Sequence, residues 1–237
     1  NVSEANVAAG SAVNADALMN AVLPKEGVAI PISWGDFGKQ MVDTGVIDET
    51  KFRELFNNSL SDEQEAILAG DWQEPIVLTD TNSRFLLDVF WAFGLANKND
   101  ILENGEMSDE KYGGAGKFAS TGGWTLASGD PMDHYSKHQF VPLTANQQNL
   151  VDGVSKNIYR PCCGNSTHFP DCNHGMAMLG LLELMAAEGM TEQEMYDIAL
   201  QVNSFWFPQT YLDLARYFEE QGQSWDEVDA KLALSQE

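Results

Sequence analysis

The stretch MAMLGLLELMAAEGMTEQEMY, residues 176–196, contains a helix, a turn and the start of a second helix. Its first twelve residues are almost all apolar, enough for a core helix but short of the ~20 residues that a membrane span needs. Gly189 suits the left-handed position just past a helix end, and Met190 can fold back onto the last turn. Thr191 and Glu194 fit a capping box, so the stretch predicts an αα-corner.

The same pattern occurs earlier in the chain. Residues 41–52, MVDTGVIDETKF, align without gaps on residues 185–196, MAAEGMTEQEMY. Gly45 takes the place of Gly189, and Val46 the place of Met190. A second αα-corner is therefore predicted, and both an ancient duplication and shared turn chemistry would explain the likeness.

Helix starts recur along the chain. Capping boxes are also indicated by SDEQ at 61–64, TANQ at 144–147 and SWDE at 224–227. The patterns predict helices at about 12–22, 34–44, 48–58, 61–69, 81–97, 144–158, 172–188, 191–204, 208–221 and 224–233. We therefore expect a mainly α, multi-helix globular fold with αα-corners and little or no sheet, with short strands possible only within 98–143 or at 75–78.

A glycine-rich segment interrupts this pattern at about 98–143. It holds seven of the chain's 20 glycines and lacks a helical period, while its aromatic residues favour an ordered loop. The predicted organisation is a polar N-terminal tether (1–20), an N-terminal helical half (21–97), the loop (98–143) and a C-terminal helical half (144–237). A single domain over 21–237 is the alternative.

The charge of the chain is strongly one-sided. It has 36 acidic and 13 basic residues, a formal net charge of −23, which argues against nucleic-acid binding and favours a basic partner or a cation. Solubility in a salty environment also explains it. The small polar residues at 1–17 resemble the start of a processed, exported protein, periplasmic or extracellular and tethered through its N-terminus, with a cytoplasmic location still open.

Cysteine and histidine are confined to two short segments. PCCGNSTHFPDCNHG, residues 161–175, contains all three cysteines and two of the four histidines, and HYSKH, residues 134–138, contains the other two. Thiolates and imidazoles suit soft transition metals, so we expect a copper, zinc or iron site. The predicted ligands are Cys162, Cys163, Cys172 and His174, completed by His134 and His138. The spacing fits no structural zinc pattern.

The helix predicted at 172–188 begins inside this cluster. Asp171 or Asn173 can cap it or support the metal ligands, and Gly175 allows another group to approach its first turn. The partial positive charge of a helix N-terminus should lower the pKa of the Cys172 thiol and keep His174 neutral, hence able to bind a metal.

Two alternatives to a metal site remain. Cys172 can form a disulfide with Cys162 or Cys163, which leaves one free thiol and suits a metal-free thiol–disulfide redox protein. The disulfide can instead stabilise a helical interaction module that docks through its acidic surface. Under the metal interpretation, the role is metal delivery, sensing or redox, with a metal ion or a metal- or thiol-exchange protein as the partner. The sequence assigns no catalytic residue.

Overall fold

Helices make up most of the fold in the computed structural model, which describes residues 15–236. The predicted mainly α fold is confirmed, whereas most of the tether predicted at 1–20 lies outside the described residues. The helices are α1 (15–22), α2 (Phe37–Asp43), α3 (Glu49–Leu55), α4 (Asp62–Ala69), α5 (Ser83–Ala96), α6 (Asp100–Asn104), α7 (Ala145–Ser155), α8 (Asn173–Ala187), α9 (Glu192–Trp206), α10 (Pro208–Glu220) and α11 (Ala230–Ala233).

Two short strands form the sheet found in the described part of the chain. β1 (Val28–Ile30) pairs antiparallel with β2 (Ile76–Leu78), and Ala29 lies opposite Val77. The strand suggested near 75–78 is therefore present. Its outer residues, Ile76 and Leu78, are fully buried, so this small sheet belongs to the hydrophobic core.

Both predicted αα-corners form. Gly45 and Gly189 have φ values of 81° and 80°, the left-handed conformation that only glycine adopts at low cost. At the second corner the Met190 N–H donates to the Met185 carbonyl at 3.2 Å, which closes a Schellman motif. Capping boxes form at the predicted starts of α4, α7 and α9.

The predicted helix at 224–233 is only partly correct. Ser224 makes no side-chain capping bond, and Trp225–Glu227 form one turn of 3-10 helix. Val228 then takes an extended conformation, and Asp229 caps the short helix α11 through the Leu232 N–H. The packing of Trp225, which is 9 % exposed, evidently outweighs the local capping signal.

The central packing unit is the pair α5 and α8, which make the most extensive contact between two helices. Gly94 and Gly180 face each other where the helices cross. A Cβ on Gly94 would lie 2.2 Å from the Met176 carbonyl oxygen, and one on Gly180 would lie 2.8 Å from the Gly94 backbone. The two backbones therefore touch, and the contact requires glycine on both sides.

A single cluster of buried apolar side chains runs from Leu18 to Leu234 and includes residues of both predicted halves. The methionines of α8 at 176, 178 and 185 are fully buried within it, as expected for core residues. No described helix is long and apolar enough to cross a membrane.

A buried polar network joins both ends of the glycine-rich segment to α8. The amide of Asn99 donates to Glu183 Oε1 at 2.7 Å, and the amide of Asn97 donates to Glu183 Oε2. Asn97 Oδ1 accepts from the Val141 N–H at 3.0 Å. The segment contains α6 and four 3-10 turns, but most of it is irregular. Hydrogen bonds to buried side chains hold its two ends in place.

The glycine contact between α5 and α8 can be tested with a matched pair of glycine substitutions. We expect Gly94→Ala to lower the free energy of unfolding by about 3 kcal/mol, because the helices must move apart. Gly153→Ala is the control, since Gly153 lies inside α7 and a Cβ there meets nothing within 4 Å. It should raise stability by about 1 kcal/mol. Chemical denaturation measures the free energy of unfolding of both variants. Equal changes in the two variants would contradict the close contact between α5 and α8.

The buried Glu183 should make stability depend on pH. Burial raises the pKa of this carboxyl well above 4.5, although the amides of Asn97 and Asn99 oppose the shift. The folded protein therefore holds a proton that the unfolded chain releases. The contribution of the protonated Glu183 to the free energy of unfolding is fully present below the ordinary glutamate pKa. It is lost as the pH rises through the folded-state pKa. In Glu183→Gln, unfolding curves over pH 4–8 should lose the part of the decline in stability that Glu183 causes and show a shallower slope, and an unchanged slope would contradict the assignment.

Candidate metal centre

A tight turn presents two of the three cysteines. The Gly164 N–H donates to the Arg160 carbonyl at 2.8 Å, and the Arg160 N–H donates to the Asn165 carbonyl at 3.1 Å. Gly164 has a φ of 69°, which allows the chain to reverse directly after the cysteine pair. Cys162 and Cys163 are exposed on this turn.

The three thiols lie together. Cys162 Sγ is 3.8 Å from Cys163 Sγ and 3.7 Å from Cys172 Sγ, and all three sulfurs lie within 4.8 Å of one another. With metal–sulfur bonds of about 2.3 Å, a tetrahedral ion holds its sulfurs about 3.8 Å apart. The cluster can therefore hold one metal ion after a small closure. Among the described residues, no histidine or carboxylate belongs to this group of ligand atoms.

Cys172 is the N-cap of α8, and its Sγ accepts the Gly175 N–H at 3.5 Å. The predicted capping role of Asp171 and Asn173 is therefore filled by the cysteine itself. Asn173 Oδ1 accepts the His174 N–H at 2.9 Å. Because the capping bond fixes the Cys172 side chain, the third thiol is held in place by the helix.

Arg160 holds the cluster together. Its guanidinium is fully buried and donates to Cys163 Sγ at 3.2 Å, to the Ser166 carbonyl at 2.5 Å and to the Phe169 carbonyl at 3.1 Å. A Cβ on Gly175 would lie 2.5 Å from Arg160 Nη1, so the predicted close approach to the first turn of α8 is made by this guanidinium.

Asp171 neutralises Arg160. Its Oδ1 accepts from the guanidinium, and its Oδ2 accepts from the Asn165 amide at 2.9 Å. The distance from Asp171 Oδ1 to Cys163 Sγ is 4.0 Å, yet both carboxylate oxygens already have partners. Asp171 therefore orients the arginine and the turn, and its role in support of a metal ligand stays a prediction.

The three thiols differ in acidity. Although Cys162 is exposed as a residue, partial desolvation of its sulfur raises its pKa to about 12, and the neighbouring Cys172 and Cys163 add to the effect. At Cys163 burial acts in the same direction, but the Asn165 backbone N–H and the Arg160 guanidinium outweigh it and lower the pKa. Burial raises the pKa of Cys172 despite Arg160 and the helix N–H, so the lowered pKa predicted for Cys172 is wrong.

His174 points elsewhere. Its ring packs against Trp206 and Phe207, with centroid distances of 5.8 and 4.5 Å, at the junction of α9 and α10. Burial, assisted by the charge of Arg160, lowers its pKa to about 4. The imidazole is neutral, as predicted, but burial is the main cause and the ring lies outside the three-cysteine group.

The histidines of the upstream segment form a cluster of their own. His134 Nδ1 lies 3.1 Å from His138 Nε2, and the His138 ring stacks on Phe140 at 5.2 Å. Residues 134–137 form turns, so the spacing of four brings the rings together without a helix. Neither ring belongs to the three-cysteine group among the described residues.

The residue that sequence reasoning missed is Arg160. A signal was available, because Arg160 is the sole lysine or arginine in residues 157–215 and precedes the cysteine pair by one proline. An isolated cation beside potential thiolates indicates an electrostatic partner.

Comparison of the chain with models of known protein families, with curated proteins and with solved structures gives no match. The functional argument therefore depends on the geometry of the site.

The acidity of Cys163 should depend on Arg160. In a Cys162→Ser, Cys172→Ser background, we expect Arg160→Lys to raise the pKa of the remaining thiol, because an ammonium cannot reproduce the guanidinium fork. The pH dependence of alkylation measures this pKa. Arg216→Lys, an exposed arginine on α10, is the control and should leave it unchanged. If both variants give the same alkylation profile, the role of Arg160 is refuted.

Proposed function

We propose that the protein binds one soft metal ion through Cys162, Cys163 and Cys172 and passes it to a partner or senses it. The observation that carries this proposal is the convergence of three sulfurs within 4.8 Å of one another. Cys162 and Cys163, which are adjacent in the chain, supply two of the thiols. Cys172, the N-cap of the buried helix α8, supplies the third. Such a cluster uses every cysteine of the chain.

Three-coordinate copper(I) fits this ligand set best. Structural zinc sites almost always have four protein ligands, and thiolates are the ligands that copper(I) prefers. The two nearby candidates for a fourth ligand have other partners, since His174 packs on aromatic rings and Asp171 pairs with Arg160. Arg160 also offsets part of the negative charge of three thiolates.

The exposure of the site supports transfer rather than permanent storage. Cys162 and Cys163 are exposed and Cys172 is half-buried, so an incoming thiolate can reach the metal from the solvent side. The thiol with the lowered pKa, Cys163, is the natural first ligand because it ionises most readily. The net charge of −23 favours a partner with a basic docking face.

Copper(I) titration of the reduced protein against a competing chelator tests the proposal. We expect one ion per chain, and each single Cys→Ser change should weaken binding by more than the ~10–100-fold typical of a lost supporting residue. His174→Ala and His138→Ala are the controls and should bind copper(I) normally. Unchanged affinity in any one cysteine variant, or lost binding in a histidine variant, would contradict the ligand set.

A metal-free thiol–disulfide exchanger is the second candidate, and the contact between Arg160 and Cys163 favours it. The Cys163 thiolate attacks one sulfur of a partner's disulfide, and the other sulfur leaves as a thiolate. Cys172 loses its proton to solvent and attacks Cys163 Sγ, so the chain is oxidised and the partner is released as a dithiol. The purified protein can instead contain no copper and form an internal disulfide in Cys163→Ser but in neither of the other two cysteine variants. That result would favour a structural disulfide between Cys162 and Cys172 over thiol exchange.

A further inference from the structure

One cavity of the structure is lined by none of the three cysteines. It has a volume of about 280 Å³ and opens between α5, residues 123–126 and the first residue of α8, Asn173. This volume is close to the lower end of the range for small-molecule pockets, so it suits a ligand of amino-acid size rather than a nucleotide.

The wall of this cavity contains a carboxylate without a partner. Asp88, on α5, is 7 % exposed and makes no hydrogen bond or ion pair with any described residue. Burial raises its pKa to about 6, and Arg84 opposes the shift through its charge. A buried and unpaired carboxylate is unfavourable. A cationic group in the cavity would remove this penalty, which makes Asp88 a binding group for an ammonium ion.

Arg84 stands one helical turn before Asp88 and also lines the cavity. Its guanidinium lies 5.7 Å from the centre of the Phe56 ring and does not form an ion pair with Asp88. The same face of α5 therefore presents a cation at the rim and an anion below it, unpaired with each other. A ligand that bears both charges can satisfy both residues, whereas a simple cation would be repelled at the rim by Arg84.

The half-buried indole ring of Trp91 supplies apolar surface to the wall, and the fully buried Trp124 packs against it. Trp91 and Trp124 pack edge to face, with centroids 4.8 Å apart. Their N–H groups donate to the Ser120 carbonyl at 2.7 Å and to the Val46 carbonyl at 2.8 Å, so the exposed part of the Trp91 ring is carbon surface alone. Such a surface suits an apolar side chain, and it also favours a nearby ammonium through the negative ring face.

We propose that this cavity binds a free amino acid with an apolar side chain, such as leucine. The ammonium group pairs with Asp88, the carboxylate pairs with Arg84, and the side chain packs against Trp91. Asn173, at the edge of the cavity, directly follows Cys172 in the chain, but none of the three cysteines lines the cavity, so this proposal does not rest on the proposed metal site.

The test compares L-leucine with its two single-charge analogues, using isothermal titration calorimetry on the whole chain. 3-Methylbutylamine lacks the carboxylate and 4-methylpentanoate lacks the ammonium, while both keep the side chain. We expect leucine to bind at least about tenfold more tightly than either analogue, since the acid leaves the buried Asp88 without a cation and the amine gives up the charge pair with Arg84 at the rim. The proposal is overturned if neither leucine nor any other apolar L-amino acid binds. It is also overturned if 3-methylbutylamine binds as tightly as leucine does.

Two variants assign the charges. Asp88→Asn and Arg84→Gln should each weaken leucine binding about tenfold or more, whereas Glu220→Gln, on the exposed face of α10, should leave it unchanged. Thermal unfolding shows that the variants are folded. If Asp88→Asn binds leucine as well as the original protein does, the carboxylate has no role and the proposal is wrong.

Discussion

The backbone contact between Gly94 and Gly180 determines where α8 lies, and the rest of the structure depends on α8. A Cβ on either glycine would overlap the other helix, so the two helices can cross at this distance only with glycine at both positions. Three features follow from this placement: Cys172 at the N-terminus of α8, Glu183 in its interior and the αα-corner at Gly189. The thiol cluster, the ordered glycine-rich segment and the turn into α9 thus share one packing constraint.

The thiol cluster depends on a second interaction, the buried guanidinium of Arg160. Its donors satisfy the turn, one thiol and Asp171 at once, so the local charges are compensated in a half-buried site. The space for it exists because Gly175 lacks a Cβ. The order of thiol acidity follows from this arrangement: Cys163, beside the cation, is the most acidic, and burial raises the other two.

Local chemistry explains which features could be predicted from the sequence. Capping boxes and the glycines of the corners act within a few residues, so the helices and turns were predictable, and the thiols of residues 162–172 are close enough in the chain to meet. The helix predicted from Ser224 is only partly correct because Trp225 packs into the core, and the His174 ring lies outside the thiol cluster because it packs on the distant Trp206 and Phe207. The Glu183 network joins residues more than 80 positions apart and leaves no local pattern. Export and the division into halves stay predictions.

The central claim is that one soft metal ion is bound by three thiolates and by no imidazole. X-ray absorption spectroscopy of the copper(I)-loaded protein tests it most directly, because the method counts the atoms in the metal's first coordination shell. The account predicts three sulfur neighbours and no nitrogen neighbour, and the same spectrum in His174→Ala. A shell that contains an imidazole nitrogen, or two sulfurs alone, would contradict it.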